Sequence, residues 1–103
     1  TRFLRAMISH PSVSCEEKEV VACIKAELEK LGYDAVEVDG LGNVIGWRGE
    51  GDKIIAFESH IDTVGIGNIN TWEADPYQGY EDDAVIFGRG GSDQEGGGHA
   101  ALL

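Results

Sequence analysis

The chain has 103 residues, and its 8 lysines and arginines against 19 aspartates and glutamates give a formal net charge of −11. This length favours a single domain, and a hydrophobic fraction of 42% is sufficient for a packed core. The excess of acidic residues, without any basic stripe, argues against nucleic acid as a partner. No apolar run approaches the roughly 18–20 residues of a membrane span, and no stretch resembles a signal peptide. We therefore expect a cytoplasmic protein with neither nucleic-acid nor membrane partners.

Two consecutive helices are predicted at the start of the chain. Apolar residues at helical spacing indicate the first over 1–8. The second begins at Ser14-Cys-Glu-Glu17, which is typical of a capping box in which Ser14 caps the helix and Glu17 reaches back to its amide. An apolar stripe continues to about Leu31, and Gly32 provides the left-handed residue that ends the helix.

The two cysteines, Cys15 and Cys23, fall within the second predicted helix. Their separation corresponds to about 12 Å along a helix axis. A disulfide needs Cα atoms roughly 4.4–6.8 Å apart, so the two cannot be bridged. We therefore expect two free thiols and a reducing compartment.

The hydrophobic pattern changes to alternation after the second helix and predicts strands separated by turns. The expected strands cover 35–38, 43–48, 53–57 and 85–87, with a loop over 65–83 and a glycine-rich segment over 88–98. The segment Lys53–Phe57 is almost wholly apolar, which is typical of a strand buried on both faces. Within the loop, Trp72 and Tyr77 are expected to be apolar anchors that hold the chain against the sheet. The combination predicts an α/β fold with helices packed on a mixed β-sheet.

Polar residues follow the third predicted strand directly, in the run His60-Ile-Asp62. Open α/β sheets bind ligands beyond the C-terminal ends of their strands. On an extended segment His60 and Asp62 share a face, with Cα atoms about 6.6 Å apart. A metal-binding histidine commonly donates its second ring N–H to a carboxylate, so the pair could supply a ligand and its support. A surface histidine beside an aspartate is the alternative.

Asp93 lies within the glycine-rich segment, and its two carboxylate oxygens could bridge two cations. Two alternatives stay open. Ser92-Asp-Gln-Glu95 is also typical of a helix N-cap, which needs no metal. Glycine-rich turns that open a helix also bind anions. The anion site ranks last, because the segment lacks the Lys-Ser/Thr of a P-loop and its two carboxylates would repel phosphate.

Three motifs then occur in a specific order: Ser59-His-Ile-Asp-Thr-Val64, Trp72-x-x-Asp75-Pro-Tyr77 and Phe87-Gly-Arg-Gly-x-x-Asp93, followed by Gly96-Gly97. In order and spacing they resemble the start of the M20 metallopeptidase family, which contains acetylornithine deacetylase, succinyl-diaminopimelate desuccinylase, aminoacylase and dipeptidases. The resemblance covers 53–103. The run Gly-Gly-Ser-Asp-Gln-Glu-Gly-Gly is similar to a branch named as selenium-metabolism hydrolases.

The resemblance implies a hydrolase of amide bonds, acting on small peptides or N-acyl amino acids, with two Zn²⁺ ions and with Co²⁺ or Mn²⁺ as alternatives. Carried over to this chain, His60 is a ligand of one ion and Asp93 bridges both. Asp62 is then a catalytic residue that hydrogen-bonds His60 and tunes the metal. The peptide after the bridging aspartate is often cis in this family, so we expect a cis bond between Asp93 and Gln94. Glu95 stands where the family commonly has lysine, which changes the local charge and bears on the substrate class.

We expect residues 1–103 to be part of a zinc-exopeptidase-like catalytic domain, truncated at its C-terminal end. The chain starts at Thr1 instead of Met and stops in the apolar run His99-Ala-Ala-Leu-Leu103. The family's general-base glutamate, its remaining metal ligands and its dimerisation domain would then lie beyond residue 103, in a parent that is a homodimer. The piece alone is expected to be inactive and to fold poorly. A non-catalytic binding module, or a degenerate paralogue on the same scaffold, is the alternative.

Overall fold

The computed structural model describes residues 2–102, apart from the side chains of residues 99–101. The helices are α1 (Arg2–Ile8), α2 (Lys18–Lys30) and α3 (Glu95–Leu102), with a short 3₁₀ turn over Ile69–Thr71. The strands are β1 (Ala35–Val38), β2 (Val44–Trp47), β3 (Tyr80–Glu81) and β4 (Ile86–Phe87). The predicted α/β class is confirmed, with the strands arranged as two antiparallel pairs, β1–β2 and β3–β4. In the described part of the chain, no helix is long and apolar enough to cross a membrane.

The core lies where α1 and α2 meet the β1–β2 hairpin. Both helices contribute one apolar face, as their spacing predicts. The cluster of buried side chains consists of Phe3, Met7, Val20, Ile24 and Leu28. Side chains from the hairpin pack against this cluster as a partly buried second row. The first predicted helix is confirmed over 2–8, and Thr1 lies outside the described residues.

The start of α2 differs from the prediction. The helix begins at Lys18, and Ser14 does not cap it. The Ser14 Oγ instead donates a hydrogen bond to Asp62 Oδ2 at 2.5 Å. Glu17 does reach back, but its Oε1 accepts from the Cys15 N–H at 2.8 Å. The capping-box prediction was wrong because a distant carboxylate competes successfully for the Ser14 hydroxyl.

Cys15 has a φ of +72°, in the left-handed region that favours glycine. An L-residue in this conformation costs roughly 1–2 kcal/mol, and glycine would relieve that strain. Part of the benefit is lost because glycine gives up more backbone entropy when the chain folds. Cys15→Gly should therefore raise the free energy of unfolding by about 1 kcal/mol, as measured by denaturant titration. Cys15→Ala is the matched control, because it removes the thiol but keeps the Cβ and should leave stability nearly unchanged. Equal stabilisation by both variants would contradict the conformational explanation.

The end of α2 and the hairpin follow the sequence signals. Gly32 has a φ of +74° just after the helix, as predicted. The β1–β2 register pairs Ala35 with Trp47 and Val38 with Val44, so both predicted strands are confirmed to within a residue. Asp39 closes the turn, because its carboxylate accepts from two backbone N–H groups and one side-chain amide. These hydrogen bonds lower the pKa of Asp39.

The segment Lys53–Phe57 is not a buried strand, and this prediction was wrong. Ile54, Ile55 and Phe57 are 78%, 79% and 75% exposed. Within the described residues no other segment pairs with this one. A strand depends on hydrogen bonds from its neighbours and on side chains that cover its faces, neither of which is encoded within the segment itself.

The β3–β4 pair lies beyond the 3₁₀ turn. The last predicted strand is confirmed over Ile86–Phe87, but its partner β3 lies within the segment expected to be a loop. Two residues are too few to show an alternating pattern, so sequence analysis missed β3. The Trp72 ring packs edge-on against Phe87 with centroids 5.8 Å apart, and its Nε1 donates to the Ile66 carbonyl at 2.8 Å. This confirms the anchoring role predicted for Trp72.

Candidate metal centre

His60 and Asp62 lie on an extended segment that is fastened to the N-terminal part of the chain. The Thr63 N–H donates to the Ser12 carbonyl at 2.8 Å, and Val13 and Thr63 form an isolated parallel bridge. Ser12 and Thr63 are both buried at this junction. The segment therefore has a fixed position although it is not part of a sheet.

Asp93 lies on the turn that leads into α3. The Glu95 N–H donates to the Gly90 carbonyl at 3.0 Å, and the peptide bond between Asp93 and Gln94 is cis, as the resemblance implied. The Ser59 Oγ donates to Gln94 Oε1 at 2.7 Å. Because Ser59 precedes His60 and Gln94 follows Asp93, this hydrogen bond ties the two loops together beside the candidate ligands.

The structure brings His60 and Asp93 into direct contact. Their nearest atoms, His60 Nε2 and Asp93 Oδ1, are 3.2 Å apart. On the other side of the ring, His60 Nδ1 lies 3.2 Å from Asp62 Oδ1 and 3.1 Å from the Asp62 carbonyl oxygen. All three predicted site residues are therefore together, although 33 positions separate His60 from Asp93.

The contacts of the ring determine what can lie between His60 and Asp93. Both groups that face Nδ1 are acceptors, so Nδ1 carries the proton of the neutral imidazole. Nε2 then presents a lone pair to Asp93 Oδ1, which is also an acceptor. Two facing lone pairs repel each other unless a proton or a cation lies between them. Nitrogen and oxygen ligands of one tetrahedral zinc lie roughly 3.3 Å apart, so the observed spacing fits a shared ion.

The ligand set is partial. Among the residues that the structure describes, no group of three or more His, Cys, Asp or Glu side chains could hold a metal ion. The two ligand candidates are also open to solvent, with side chains 49% exposed in His60 and 88% exposed in Asp93. Catalytic zinc sites use about three protein ligands for each ion, so this pair can supply only part of a site.

The pair faces a cavity of about 280 Å³, whose wall also includes Val64, Arg89 and Ser92. The Arg89 guanidinium stacks on the Trp72 ring at 4.8 Å, and its Nη2 donates to the Gly65 carbonyl at 3.4 Å. Arg89 thus places one positive charge on the wall of the cavity that Asp62 and Asp93 also line. No role was predicted for Arg89, and its position inside the Gly-Arg-Gly motif is the only signal in the sequence that points to it.

Asp62 is held from both sides. The Ser14 hydrogen bond is the main cause that lowers the pKa of Asp62; desolvation opposes it, and the charge of His60 reinforces it. The Asp62 carboxylate is therefore stabilised in its ionised form, in which it can accept a hydrogen bond from the Nδ1–H of His60. The sequence around Ser14 is typical of a helix cap, so the place of this residue at the site was not predicted.

The glycine-rich segment packs against the protein itself. A Cβ at Gly88 would collide with Ile8, and one at Gly96 would collide with the Gly91 carbonyl. At Gly90, where φ is +79°, a Cβ would lie 2.8 Å from both the Thr63 methyl and the Glu95 carboxyl carbon. These glycines allow close packing of the segment, and two of them, Gly88 and Gly90, also line the cavity.

Glu95 is only 1% exposed and does not line the cavity. Its Oε2 has no hydrogen-bond partner, and desolvation raises its pKa to about 7. The sequence predicted that the charge of Glu95 would bear on the substrate. The buried position of its side chain, away from the cavity wall, does not support that prediction. Glu95 follows the turn that carries Asp93, and its carboxyl group lies close to Gly90.

Comparison with known proteins supports a relationship to deacylases. The chain is 60% identical over 97 residues to the protein named "Uncharacterized protein YgeY" of Escherichia coli (strain K12), which covers 94% of this chain and 24% of that protein. It is 35% identical over 98 residues to the succinyl-diaminopimelate desuccinylase of Buchnera aphidicola (strain APS), covering 93% of this chain and 26% of the enzyme. The corresponding enzyme of Bordetella avium is 29% identical over 95 residues, which cover 90% of this chain and 25% of that enzyme.

The chain is distantly homologous to succinyl-diaminopimelate desuccinylases. It spans about a quarter of the length of the curated relatives that it matches. No protein-family model matches it. The alignment with these enzymes extends over most of the chain, so it includes more than the short motifs that carried the initial resemblance.

Proposed function

We propose that residues 1–103 form the N-terminal part of the catalytic domain of a metal-dependent amidohydrolase of the M20 type. The observation that carries this proposal is the 3.2 Å approach of His60 Nε2 to Asp93 Oδ1, with Asp62 behind the ring. A histidine supported by a carboxylate on one nitrogen and facing a second carboxylate on the other is the arrangement that zinc sites use. The similarity to desuccinylases independently supports a deacylase.

Each of the three residues has a distinct task in this proposal. His60 and Asp93 would together hold one ion, and the second carboxylate oxygen of Asp93 would be available to a second. Asp62 keeps the Nδ1 proton in place, which orients the ring and raises the basicity of Nε2. Zinc is the proposed metal, with Co²⁺ or Mn²⁺ as alternatives; when bound, it polarises a carbonyl as a Lewis acid.

The proposed substrate is a small peptide or an N-acyl amino acid, bound in the cavity beside this pair. Arg89, on the cavity wall, would attract the carboxylate that such a substrate carries. The remaining metal ligands and the general base would come from the rest of a longer, cytoplasmic, homodimeric enzyme. Residues 1–103 alone would then be inactive, because the general base that accepts the proton of the attacking water would belong to the rest of that enzyme.

The exposed segment Lys53–Phe57 fits the same proposal. Its apolar side chains would be covered, and its backbone paired, by strands from the rest of the longer protein. The segment leads directly into His60, so its pairing would also fix the position of the metal ligand. This accounts for an apolar run that has no partner within the described residues.

The proposal is tested by measuring bound zinc and the hydrolysis of N-succinyl and N-acetyl amino acids by the full-length protein. We expect close to two zinc ions per chain, activity that a chelator removes, and recovery on adding Zn²⁺. Residues 1–103 alone should show no activity and only weak zinc binding. Full-length protein that binds zinc but hydrolyses no amide would favour the non-catalytic module. Tight binding of two zinc ions by residues 1–103 would contradict the division of ligands proposed above.

A further inference from the structure

Ser14 contacts the candidate metal centre across 48 positions of sequence. Its Oγ donates to Asp62 Oδ2 at 2.5 Å, while the other oxygen, Oδ1, faces His60 Nδ1 at 3.2 Å. The Asp62 carboxylate is thus held between a hydroxyl and the imidazole. The contacts continue through His60 Nε2 to Asp93 Oδ1.

The backbone places Ser14 at this point. Val13 and Thr63 form a parallel bridge, and the Thr63 N–H donates to the Ser12 carbonyl. The Ser12 and Thr63 hydroxyls lie 3.4 Å apart in the buried junction. Ser14 and Asp62 each adjoin this bridge, on its opposite sides, and their side chains meet diagonally across it.

The chain departs from its local preferences to make this contact. Ser14 lies in a sequence that favours helix capping, yet α2 begins without any side-chain cap at its N-terminus. The next residue, Cys15, takes a positive φ. A hydroxyl that served only local structure would be expected at the helix start, so its position beside Asp62 points to a role at the site.

Packing alone does not hold the ring of His60. The side chains of His60 and Asp62 are 49% and 42% exposed, so neighbouring atoms leave room for both to rotate. A carboxylate held at only one oxygen can turn about its terminal bond and exchange the imidazole for water. A second hydrogen bond on the other oxygen removes that freedom.

We propose that Ser14 is a positioning residue for metal binding: its hydroxyl fixes the Asp62 carboxylate, which in turn fixes His60 with Nε2 directed at Asp93. This rests on the proposed function, since it concerns the same site. The outer partners of metal ligands commonly change metal affinity by 10- to 100-fold. Ser14 acts one step further out, so its effect lies at the lower end of that range.

The test is the affinity of the full-length protein for Zn²⁺, measured by competition with a chromophoric chelator. Ser14→Ala and Ser14→Cys, which remove the hydroxyl, should each weaken zinc binding by about tenfold. Ser14→Thr keeps the hydroxyl and should restore affinity to within roughly threefold of the wild type. Ser9→Ala is the matched control, because Ser9 is an exposed serine whose Oγ contacts only the Ala6 carbonyl. It should leave the affinity unchanged.

A double variant tests the path through Asp62. If Ser14 acts only through this carboxylate, Ser14→Ala should cost less than about twofold in the Asp62→Asn background. Circular dichroism shows whether each variant folds. If Ser14→Ala does not fold, the zinc affinities of Ser14→Thr and Ser14→Cys are compared instead. Equal losses in Ser14→Ala and Ser14→Thr would overturn the role of the hydroxyl.

Two further outcomes separate this inference from the proposed function. Wild-type zinc affinity in Ser14→Ala, together with loss of zinc in His60→Ala, would overturn the role of Ser14 and leave the metal centre intact. Failure of the wild-type full-length protein to bind zinc would overturn both. A tenfold loss in Ser14→Ala with wild-type affinity in Ser9→Ala and Ser14→Thr would support both.

Discussion

His60→Ala in the full-length protein should lower the rate of amide hydrolysis by at least about 1,000-fold and abolish tight binding of one zinc ion. The imidazole supplies the only nitrogen ligand among the proposed pair, and its loss leaves Asp93 with an exposed carboxylate that cannot hold the ion alone. Asp93→Ala should be at least as damaging, because this residue is proposed to contact both ions. The measurements are bound zinc per chain and hydrolysis of an N-acyl amino acid.

Matched controls exist for both substitutions. His10→Ala removes a histidine that does not line the described cavity, and Asp52→Ala removes an exposed aspartate that does not line it either. Both variants should keep wild-type zinc content and activity. If His60→Ala retained both zinc ions and its activity, the proposed metal centre would have to be abandoned.

Glu95→Gln should stabilise the metal-free protein at pH 8 by roughly 3 kcal/mol and leave it nearly unchanged at pH 4.5. Burial raises the pKa of Glu95 from 4.5 to about 7. The folded state therefore binds this proton more tightly than the unfolded state does. The resulting stability is fully present below pH 4.5, declines as the pH rises, and is lost above about pH 7, where the buried carboxylate is ionised. Gln remains neutral throughout and has nearly the same shape.

The measurement is denaturant unfolding between pH 4.5 and 8.5 with a chelator present, so that metal binding does not contribute. Glu50→Gln is the matched control, because Glu50 is exposed and lies outside any helix or strand, so this variant should keep the wild-type pH dependence. If the stabilities of the wild type and of Glu95→Gln changed in parallel between pH 5 and pH 8, the raised pKa of Glu95 would be contradicted.

Local signals predicted the parts of the fold that depend on neighbouring residues. The apolar stripe of α2, its glycine stop and the β1–β2 hairpin all match the sequence pattern, because spacing along the chain determines which side chains share a face. The segment Lys53–Phe57 did not follow its pattern, since strand formation requires partners that lie elsewhere. β3 was missed for the opposite reason: its hydrogen bonds come from β4, and its own two residues carry no signal.

The candidate site divides in the same way. The motifs around His60, Asp62 and Asp93 identified residue types with the right chemistry, and their resemblance to a family predicted that they meet. Nothing in the local pattern of Ser14 pointed to Asp62, because helix capping and a long-range hydrogen bond use the same hydroxyl. For Glu95, the sequence showed a charge but not its burial.

By itself, the sequence determined the acidic character of this protein, its helix-and-hairpin start and the residues able to bind a cation. Only the tertiary structure decided that Nε2 of one loop faces a carboxylate of another at 3.2 Å and that a serine near the N-terminus supports the contact. The physical reason is that propensity and periodicity act over a few residues. The direction of a ring or a carboxylate is determined by hydrogen bonds between segments that are brought together by folding.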